Sequence, residues 1–574
     1  MVSERGGCSF LFAQGVPGAT LTPESISQSQ QLIARAAREF VDHAIRPHID
    51  QIETLDVKLT VRLLKDAGDL GLLGVDVPEQ FGGLNLDLVT SMLVAAELAR
   101  AGSFNVSFSG HTGIGTLPLV YFGTPAQKQK YLPGLASGRT LAAYALTEPS
   151  SGSDALAART TARLSESGQQ WILNGTKQWI TNSGFADLFT LYAKVDSERF
   201  SAFLIERDTP GLSIGAEEHK MGLHGSSTCS VQLEDARIPR ENLLGEVGRG
   251  HIIAFTILNL GRLKLAAGAV GACKHALALA TRYAQERRQF GRAIIEFGLV
   301  RDKLAEMALQ TYAAETMMLR TAGLMDASMA TLDAAEDRGQ AAGEVLSEYA
   351  VECAINKVLA TEALDLVADE AVQIHGGNGF MDSYEISRIY RDARINRIFE
   401  GTNEINRLLI TTQILRRIDR GSIALPATWG EDYPPRDAAQ RPPWADILRW
   451  AASEAYEVAL ERFGSSLPEE QEVMGRLADL TIDLFTVDSA MLRAAAVAEA
   501  ERPLHQDLSD LIAARAIARS ESICRDLAEY LGDERVGAGL NVIVNRPAEN
   551  AILIRRRIAN AVVAGNHYPL GPRA

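Results

Sequence analysis

The sequence predicts a mainly α-helical protein with a central β domain. Apolar residues recur at helical spacing before residue 100 and again from residue 248 onward, whereas the stretch between them contains strand-like runs and turn signals. The chain has 574 residues, of which 46% are hydrophobic and 22% charged, the balance of a globular protein and not of a disordered one. At ~150 residues per domain, this length predicts three to four domains.

An N-terminal helical domain is predicted over residues 1–141. Thr22 followed by Pro23 is typical of a helix start, since proline suits the first helical turn. Helical spacing of apolar residues follows at Leu32, Ala36 and Phe40. A glycine-rich connection over 71–83 then separates these helices from another one that ends near residue 101.

A middle β domain is predicted over residues 142–246. Residues 171–177 contain an Asn-Gly pair beside an apolar run, which is a turn signal. Further strand-like runs lie at 188–194, 201–206 and 228–233. Strands grouped between two helical blocks indicate a separate β domain.

A four-helix bundle domain is predicted over residues 247–418, because four long helical stretches with short connections follow one another. We place these helices at about 250–290, 297–328, 341–374 and 383–418. Several prolines then predict a linker over 419–443 that is not a continuous helix. Helical texture resumes over 444–574, which predicts an appended C-terminal helical domain.

Charge and cysteine usage exclude several classes of function. The net charge is −15, and no basic stripe suited to nucleic acid is present. The five cysteines lie far apart without a C-x-x-C pair, which favours a reducing compartment. The first residues lack the apolar core of a secretory signal, and no stretch is typical of a transmembrane segment.

Common catalytic motifs are absent or weak. There is no G-x-G-x-x-G, no P-loop and no H-E-x-x-H, and His219 and His224 lack a familiar metal-ligand spacing, so no metal site is predicted. One G-x-S-x-G occurs around Ser213. A Pro-Gly turn precedes it and β structure follows, so we interpret it as a chance match and not as a nucleophile elbow.

Four segments together carry a family resemblance. They are 144–154 (YALTEPSSGSD), 178–184 (QWITNSG), 286–291 (ERRQFG), and the paired runs 373–380 (QIHGGNGF) and 397–404 (RIFEGTNE). In this order they resemble the acyl-CoA dehydrogenase family, continuously over about 22–418. The appended domain and the runs NLLGEVG (242–248) and LNLGR (258–262) are more similar to the very-long-chain branch.

The resemblance implies the acyl-CoA dehydrogenase fold, in which a helical domain, a β-barrel-like middle domain and a four-helix bundle follow one another, and it implies an FAD cofactor. The residues that would hold the flavin ring are Tyr144, Leu146, Thr147, Gly152, Ser153, Trp179, Ile180 and Thr181. Taken alone, Trp179 would be an aromatic of the β core. Within the motif it is expected to cover one face of the flavin.

The FAD pyrophosphate needs cations or helix N-termini. The resemblance implies a second group of cofactor residues, namely Arg287, Phe290, Gln373, Ile374, Gly376, Gly377, Thr402 and Glu404. In relatives part of this group belongs to the neighbouring subunit, so a homodimer is implied. The alternatives are a solvated helix end for Arg287 and a simple inter-helix turn for the glycines. Arg301 departs from the glutamine that many members carry.

Glu400 is the candidate catalytic base. Dehydrogenation of a thioester at Cα–Cβ removes a proton from Cα while a hydride leaves Cβ. A carboxylate desolvated by an acyl chain has a raised pKa and can accept that proton. Glu400 inherits the role from its place in the Phe-Glu-Gly-Thr motif, and its backbone N–H is expected to polarise the thioester carbonyl. Taken alone, it would be an ordinary glutamate before a glycine.

The resemblance also implies substrate contacts at Ser153, Asn259, Arg262, Phe399 and Gly401. For Arg262, a substrate contact and a helix-stabilising ion pair both remain open. Small residues where relatives build the end of the acyl tunnel favour long acyl chains, since each buried methylene is worth about 0.8 kcal/mol. They are Ser107, Ser109, Gly110, Gly113 and Gly115, and tight helix packing is the alternative explanation.

The implied function is oxidation of a long- or very-long-chain acyl-CoA to the trans-2-enoyl-CoA in fatty acid β-oxidation, with electrons passed to an electron-transfer flavoprotein. An acyl-CoA oxidase using O₂ and a non-catalytic scaffold remain as alternatives, and the intact Glu400 motif argues against the scaffold. The expected location is a bacterial cytoplasm or, in a eukaryote, the mitochondrial matrix. The basic run 555–557 leaves a peripheral membrane contact open, although a helical pad is favoured.

Overall fold

The computed structural model of the protein describes residues 6–332 except 14, 17 and 19, and then residues 338–423, 444–537, 540 and 550–571. Of the predicted proline-rich linker, 424–443 lies outside the described residues. The described elements follow the predicted order of helical, β, bundle and appended helical regions. The predicted residue limits of the domains remain predictions.

The N-terminal region is helical, as expected. Its helices are α1 (Gln28–Phe40), α2 (Ile49–Glu53), α3 (Val57–Asp69), α4 (Leu88–Leu98), α5 (Ser103–Ser109), α6 (Leu117–Phe122) and α7 (Pro125–Ala136). The predicted N-cap at Thr22, with Pro23 in the first turn, is present, but it starts a 3-10 turn and not the long helix. Thr22 precedes a single 3-10 turn, Pro23–Ser25, which ends because Ile26 is extended. Helix α1 instead begins after Ser27, whose hydroxyl accepts from Gln30 N at 3.3 Å.

The β region forms one sheet. Its strands are β1 (Ala142–Ala145), β2 (Thr161–Leu164), β3 (Gln170–Thr181), β4 (Leu188–Val195), β5 (Arg199–Glu206), β6 (Leu212–Glu217), β7 (Thr228–Pro239) and β8 (Leu243–Leu244). They are ordered β6-β7-β3-β2-β4-β5-β8, and β1 pairs parallel to β4. The Asn-Gly pair does not make the predicted turn, because Gly175 lies inside β3 at a shift in register. Ser213 lies within β6 opposite Gln232 and so is not on a nucleophile elbow.

The bundle contains α8 (Gly250–Glu286), α9 (Gly298–Met329), α10 (Arg338–Glu348), α11 (Ala350–His375), α12 (Glu385–Ala393) and α13 (Asn403–Asp419), with a small hairpin of β9 (Arg288–Gln289) and β10 (Arg292–Ala293) after α8. By length and composition α8 is the one candidate membrane span among the described helices, and 61% of its most apolar window is buried in the protein. The structure therefore uses it as a core helix.

Two of the four predicted bundle helices are interrupted. The third consists of α10 and α11, which meet at Tyr349. The fourth is broken between α12 and α13, because Glu400 and Gly401 adopt left-handed φ angles of 58° and 80° that a continuous helix cannot contain. This break places the predicted base on a loop.

The appended region contains α14 (Trp444–Phe463), α15 (Gln471–Ala496), α16 (Arg502–Leu531) and α17 (Ala551–Gly565). Helix α15 packs against α9 and α13, and α17 packs against α9. In the basic run, Arg555 pairs with Asp302 at 3.2 Å and Glu306 at 2.8 Å, and Arg557 pairs with Asp507 at 2.5 Å. Two of its three arginines therefore pair with carboxylates inside the protein. This favours the interpretation of the appended region as a helical pad over a peripheral membrane contact.

Buried ion pairs join the appended region to the rest of the chain. Arg493 on α15 is fully buried and bonds to Glu24 near the N-terminus at 2.6 Å and to Glu315 on α9 at 3.0 Å. Arg320 on α9 bonds to Asp488 on α15 at 2.8 Å. Because a buried charge without its partner is costly, these pairs fix how α9 and α15 face each other.

Candidate active site

The loop between α12 and α13 carries the candidate base. A 3-10 turn, Arg394–Arg397, leads into it, and Thr402 ends it by accepting a hydrogen bond from Ile405 N at 3.2 Å. This is the usual capping of a helix N-terminus, so α13 begins at Asn403. Thr402, predicted to bind cofactor, therefore has a structural role as well.

Three side chains from other elements hold the loop by its carbonyl groups. Lys357 Nζ on α11 donates to Gly401 O at 2.8 Å, and Asn406 Nδ2 on α13 donates to the same oxygen at 2.7 Å. Arg262 Nε on α8 donates to Glu400 O at 3.1 Å. These bonds compensate for the left-handed backbone, which costs of order 1–3 kcal/mol in a residue other than glycine.

Glu400 is half-buried with its Oε2 atom buried, and desolvation raises the pKa of its carboxyl to about 7 against the lowering effects of the Arg262 and Lys357 cations. Its Oε2 has no hydrogen-bond partner among the described residues. Gly261 on α8 makes room for it, since a Cβ there would lie 2.9 Å from Oε2. A carboxyl with this pKa is partly ionised at neutral pH and can accept a proton.

A cavity of about 1200 Å³, including its opening to solvent, borders this carboxyl. Phe399 and Glu400 line it together with Thr181 at the end of β3. Three of the five small residues predicted to line a tunnel do so, namely Ser109, Gly110 and Gly113. The other two are packing residues: Ser107 O accepts from Asn182 Nδ2 at 2.8 Å, and a Cβ on Gly115 would meet Gly110 O at 2.8 Å.

Two predicted substrate residues on α8 support the loop as a pair. Arg262 is buried, and its Nη1 donates to Asn259 Oδ1 at 2.8 Å while its Nε holds Glu400 O. Neither residue lines the cavity surrounding Glu400. We record no ion pair for Arg262 within the described ranges, so the alternative of a helix-stabilising ion pair is not observed.

The predicted flavin residues of β1 and the loop after it differ in exposure. Tyr144 is buried, and its hydroxyl has no partner among the residues described. Leu146 O accepts from Lys177 Nζ at 3.1 Å, and Thr147 O accepts from Gln178 N at 2.9 Å. Ser153 is exposed, and a Cβ on Gly152 would meet no atom within 4 Å. This loop is therefore open to a ligand.

Trp179 is the most unusual residue of β3. Its φ is 58° and its side chain is 59% exposed, at the register shift between Lys177 and Ile180. The bulge turns the indole out of the sheet. The Ile180 side chain is buried in the β core, so only its backbone is available to a cofactor. Thr181 borders the same cavity as Glu400.

Six of the eight residues in the second predicted cofactor group lie at the far ends of α8 and α11 and in the turns that follow them, whereas Thr402 and Glu404 lie beside Glu400. These ends are adjacent, since Tyr283 stacks on His375 with ring centroids 4.2 Å apart. Arg287 caps the end of α8, Phe290 is 92% exposed, and Gly376 and Gly377 have open space at their Cβ positions. Gln373 and Ile374 belong to the last turn of α11.

The six residues at the ends of α8 and α11 are distant from Glu400. Arg287 is 26 residues beyond Gly261, which at ~1.5 Å per residue is roughly 39 Å along the helix. One ligand pocket in a single chain does not reach that far. Glu404, the last of the predicted cofactor residues, is exposed on α13, where hydrogen bonds to its own backbone N–H and to Thr402 lower its pKa.

Sequence reasoning missed Gly261, Lys357 and Asn406. Gly261 stands inside the quoted run LNLGR, so its position before Arg262 could have drawn attention to it. No sequence pattern marks Lys357, which is fully buried on α11. No cluster able to hold a metal ion is found within the described ranges. Arg301 bonds to Asn560 on α17 at 2.8 Å, which is a contact with the appended region.

Comparison with known families agrees with these features. The sequence profile described as "Acyl-CoA dehydrogenase, N-terminal domain" matches residues 27–139, and the corresponding middle-domain profile matches 143–236. Two profiles described as "Acyl-CoA dehydrogenase, C-terminal domain" match 248–415 and 455–535. The second of these falls within the appended region.

Individual proteins agree as well. A probable acyl-CoA dehydrogenase of Bacillus subtilis is 46% identical over 85% of this chain and 84% of its own length. The human mitochondrial very long-chain specific acyl-CoA dehydrogenase is 38% identical over 69% of this chain and 59% of its length. A crystal structure of a Bacillus anthracis acyl-CoA dehydrogenase complexed with FAD superposes with a TM-score of 0.94 at 42% identity, covering 98% of this chain and all of that one.

Proposed function

Because this chain belongs to the acyl-CoA dehydrogenase family, we propose that it oxidises a long-chain acyl-CoA to the trans-2-enoyl-CoA with FAD as cofactor. One observation carries the proposal. The Glu400 carboxyl, with a pKa of about 7, borders a cavity that it shares with Thr181 of the predicted flavin segment. A base and a flavin on opposite sides of one cavity are what α,β-dehydrogenation needs.

The residues fit an FAD. The exposed indole of Trp179 offers an apolar surface for one face of the ring, and the open loop around Gly152 allows a close approach of backbone. Trp179, Thr147 and Thr181 would hold the ring, and it would supply the acceptor for the β-hydride. Arg287 and the glycine turn Gly376–Gly377 would meet the charged and ribose parts.

Glu400 performs the proton chemistry. Its unpartnered Oε2 is available to take the α-proton of the thioester. We record no acceptor for the Glu400 backbone N–H among the described residues, so it is available to polarise the thioester carbonyl. Arg262, Lys357 and Asn406 hold the loop, so that the base does not have to reorganise during the reaction.

A homodimer would complete the cofactor site. The group around Arg287 lies roughly 39 Å along α8 from Gly261, which is beside Glu400, so a second subunit would have to supply it to the same ligand. Exposed apolar residues surround this group and would be covered by such a partner. They are Phe290, Leu299, Phe380 and Met381.

We extend this proposal to the length of the acyl chain, the pathway, the electron acceptor and the cellular location. The cavity continues along α8 away from Glu400 and includes Gly268 and Ala272, which suits a long chain, and the human very-long-chain relative agrees in this respect. Fatty acid β-oxidation, an electron-transfer flavoprotein as acceptor, and a cytoplasmic or mitochondrial matrix location follow from the family resemblance. Peroxide formation during turnover would instead identify an oxidase.

The experiment is anaerobic reduction of the purified flavoprotein by palmitoyl-CoA. The yellow flavin absorbance of the wild type should bleach, and Glu400→Gln should bind FAD equally but lose up to about 10⁴-fold in the rate of bleaching, the upper end of general-base contributions. Glu370→Gln, at a carboxylate paired with Lys303 and outside the cavity, is the matched control. Wild-type rates in Glu400→Gln would refute the role of the base, and bleaching by no acyl-CoA would favour the scaffold.

A further inference from the structure

At the part of its lining farthest along α8 from Glu400, the cavity is bordered by charged side chains. Glu385 on α12 accepts two hydrogen bonds from Arg46, at 3.1 and 3.2 Å, and one from Arg388 at 3.0 Å. His275 Nε2 on α8 lies 2.9 Å from the same carboxylate. We call these four residues the terminal cluster, and three of them, His275, Glu385 and Arg388, line the cavity.

The terminal cluster is fixed by a second carboxylate. Glu53 on α2 lies 3.9 Å from Arg388 and accepts hydrogen bonds from Ser103 N at 2.9 Å and Ser103 Oγ at 2.7 Å. The cluster therefore ties α2, α5, α8 and α12 together. The two arginines face Glu385 and Glu53, and the Asp392 carboxyl also lines the cavity near Arg388. The cations are therefore matched, and the site suits the methyl end of an acyl chain better than a terminal carboxylate.

The distance from Glu400 to the terminal cluster can be read along α8. Gly261, Leu265, Gly268, Ala272 and His275 line the cavity at spacings of three or four residues, which is one helix face. The 14 residues from Gly261 to His275 rise roughly 21 Å. A fully extended chain advances up to ~3.6 Å per three bonds, so roughly 17 bonds fit this length.

A longer chain would have to disturb the cluster. To pass His275, a methyl end must separate Glu385 from its cations and leave a poorly solvated carboxylate without its partners, which is far more costly than displacing an apolar side chain. We propose that the terminal cluster sets the maximum acyl length, with His275 and Ala272 as the specificity-determining residues. This inference rests on the proposed acyl-CoA dehydrogenase function.

Two substitutions move the limit in opposite directions. Ala272→Leu blocks the cavity one helical turn before the cluster, about 4.5 Å or roughly four bonds short of His275. It should lower kcat/KM for palmitoyl-CoA by about fourfold or more relative to lauroyl-CoA, since each methylene lost from an apolar site costs about fourfold. His275→Ala opens space next to Glu385 and should raise the arachidoyl-CoA to palmitoyl-CoA ratio by about fourfold or more.

The control is Glu370→Gln, which removes a carboxylate from an ion pair outside the cavity and should leave the chain-length profile unchanged. Flavin content and thermal midpoint establish that each variant is folded. If acyl-CoAs bleach the flavin of both Ala272→Leu and His275→Ala with the same preference among chain lengths as the wild type, the inference is overturned. The proposed function would survive that result. Failure of every acyl-CoA to bleach the wild-type flavin would overturn the proposed function, and the inference with it.

Discussion

Replacing Lys357 tests whether the hydrogen bonds that hold the Glu400 loop, and not the base alone, determine the rate of flavin reduction. Lys357→Met removes hydrogen bonds to Gly401 O at 2.8 Å and Asn403 Oδ1 at 2.6 Å. Hydrogen bonds to a charged group are worth roughly 1.5–3 kcal/mol each, but Asn406 still donates to Gly401 O. We therefore expect a loss of about 2 kcal/mol, or roughly 30-fold in the rate constant for flavin reduction.

The same substitution should shift the pH dependence. The Lys357 cation favours ionised Glu400, so its removal raises the pKa of Glu400 above its value of about 7. Because the base accepts a proton only when ionised, the rate falls as the pH drops through that pKa, and this acid limb should move to higher pH. In the wild type the acid limb should lie near pH 7 for the enzyme without substrate. Bound substrate would desolvate Glu400 further and raise its pKa.

The measurement is stopped-flow flavin reduction under anaerobic, single-turnover conditions on both sides of pH 7. Lys303→Met, which removes a lysine paired with Glu370 on the outside of the bundle, is the matched control and should change neither the rate nor the acid limb. A Lys357→Met enzyme with full FAD content, the wild-type rate and the wild-type acid limb would refute the role of Lys357 in holding the Glu400 loop.

Two further predictions concern the cofactor and the appended region. Trp179→Ala should lower the FAD retained per chain after gel filtration, measured as the ratio of flavin to protein absorbance, because the exposed indole is the apolar surface offered to the ring; unchanged retention would contradict this. Arg493→Met should destabilise the protein by about 3–5 kcal/mol, seen as a lower urea midpoint, because Glu24 and Glu315 lose a buried cation. An unchanged midpoint would show that these pairs contribute nothing to stability.

Local patterns predicted much of the fold because helices and strands bury one face with a regular period. Helix α8 and helix α9 lie within a few residues of their predicted limits for this reason. Local signals failed where tertiary contacts overrode them. The Asn-Gly pair of β3 became a bulge because pairing with β7 continues past it. The break before α13 was missed because its apolar spacing resembles a continuous helix.

The sequence by itself determined which residues are the candidates for the chemistry. The motif around Glu400 and the segment around Trp179 are short runs, so their residue types could be identified without coordinates. Only the tertiary structure decided that Glu400 is desolvated and left-handed, since α8 and α11 supply Arg262 and Lys357 from positions far away in the chain. It also decided that Arg287 lies at the opposite end of α8, because the length of a rigid helix fixes that distance.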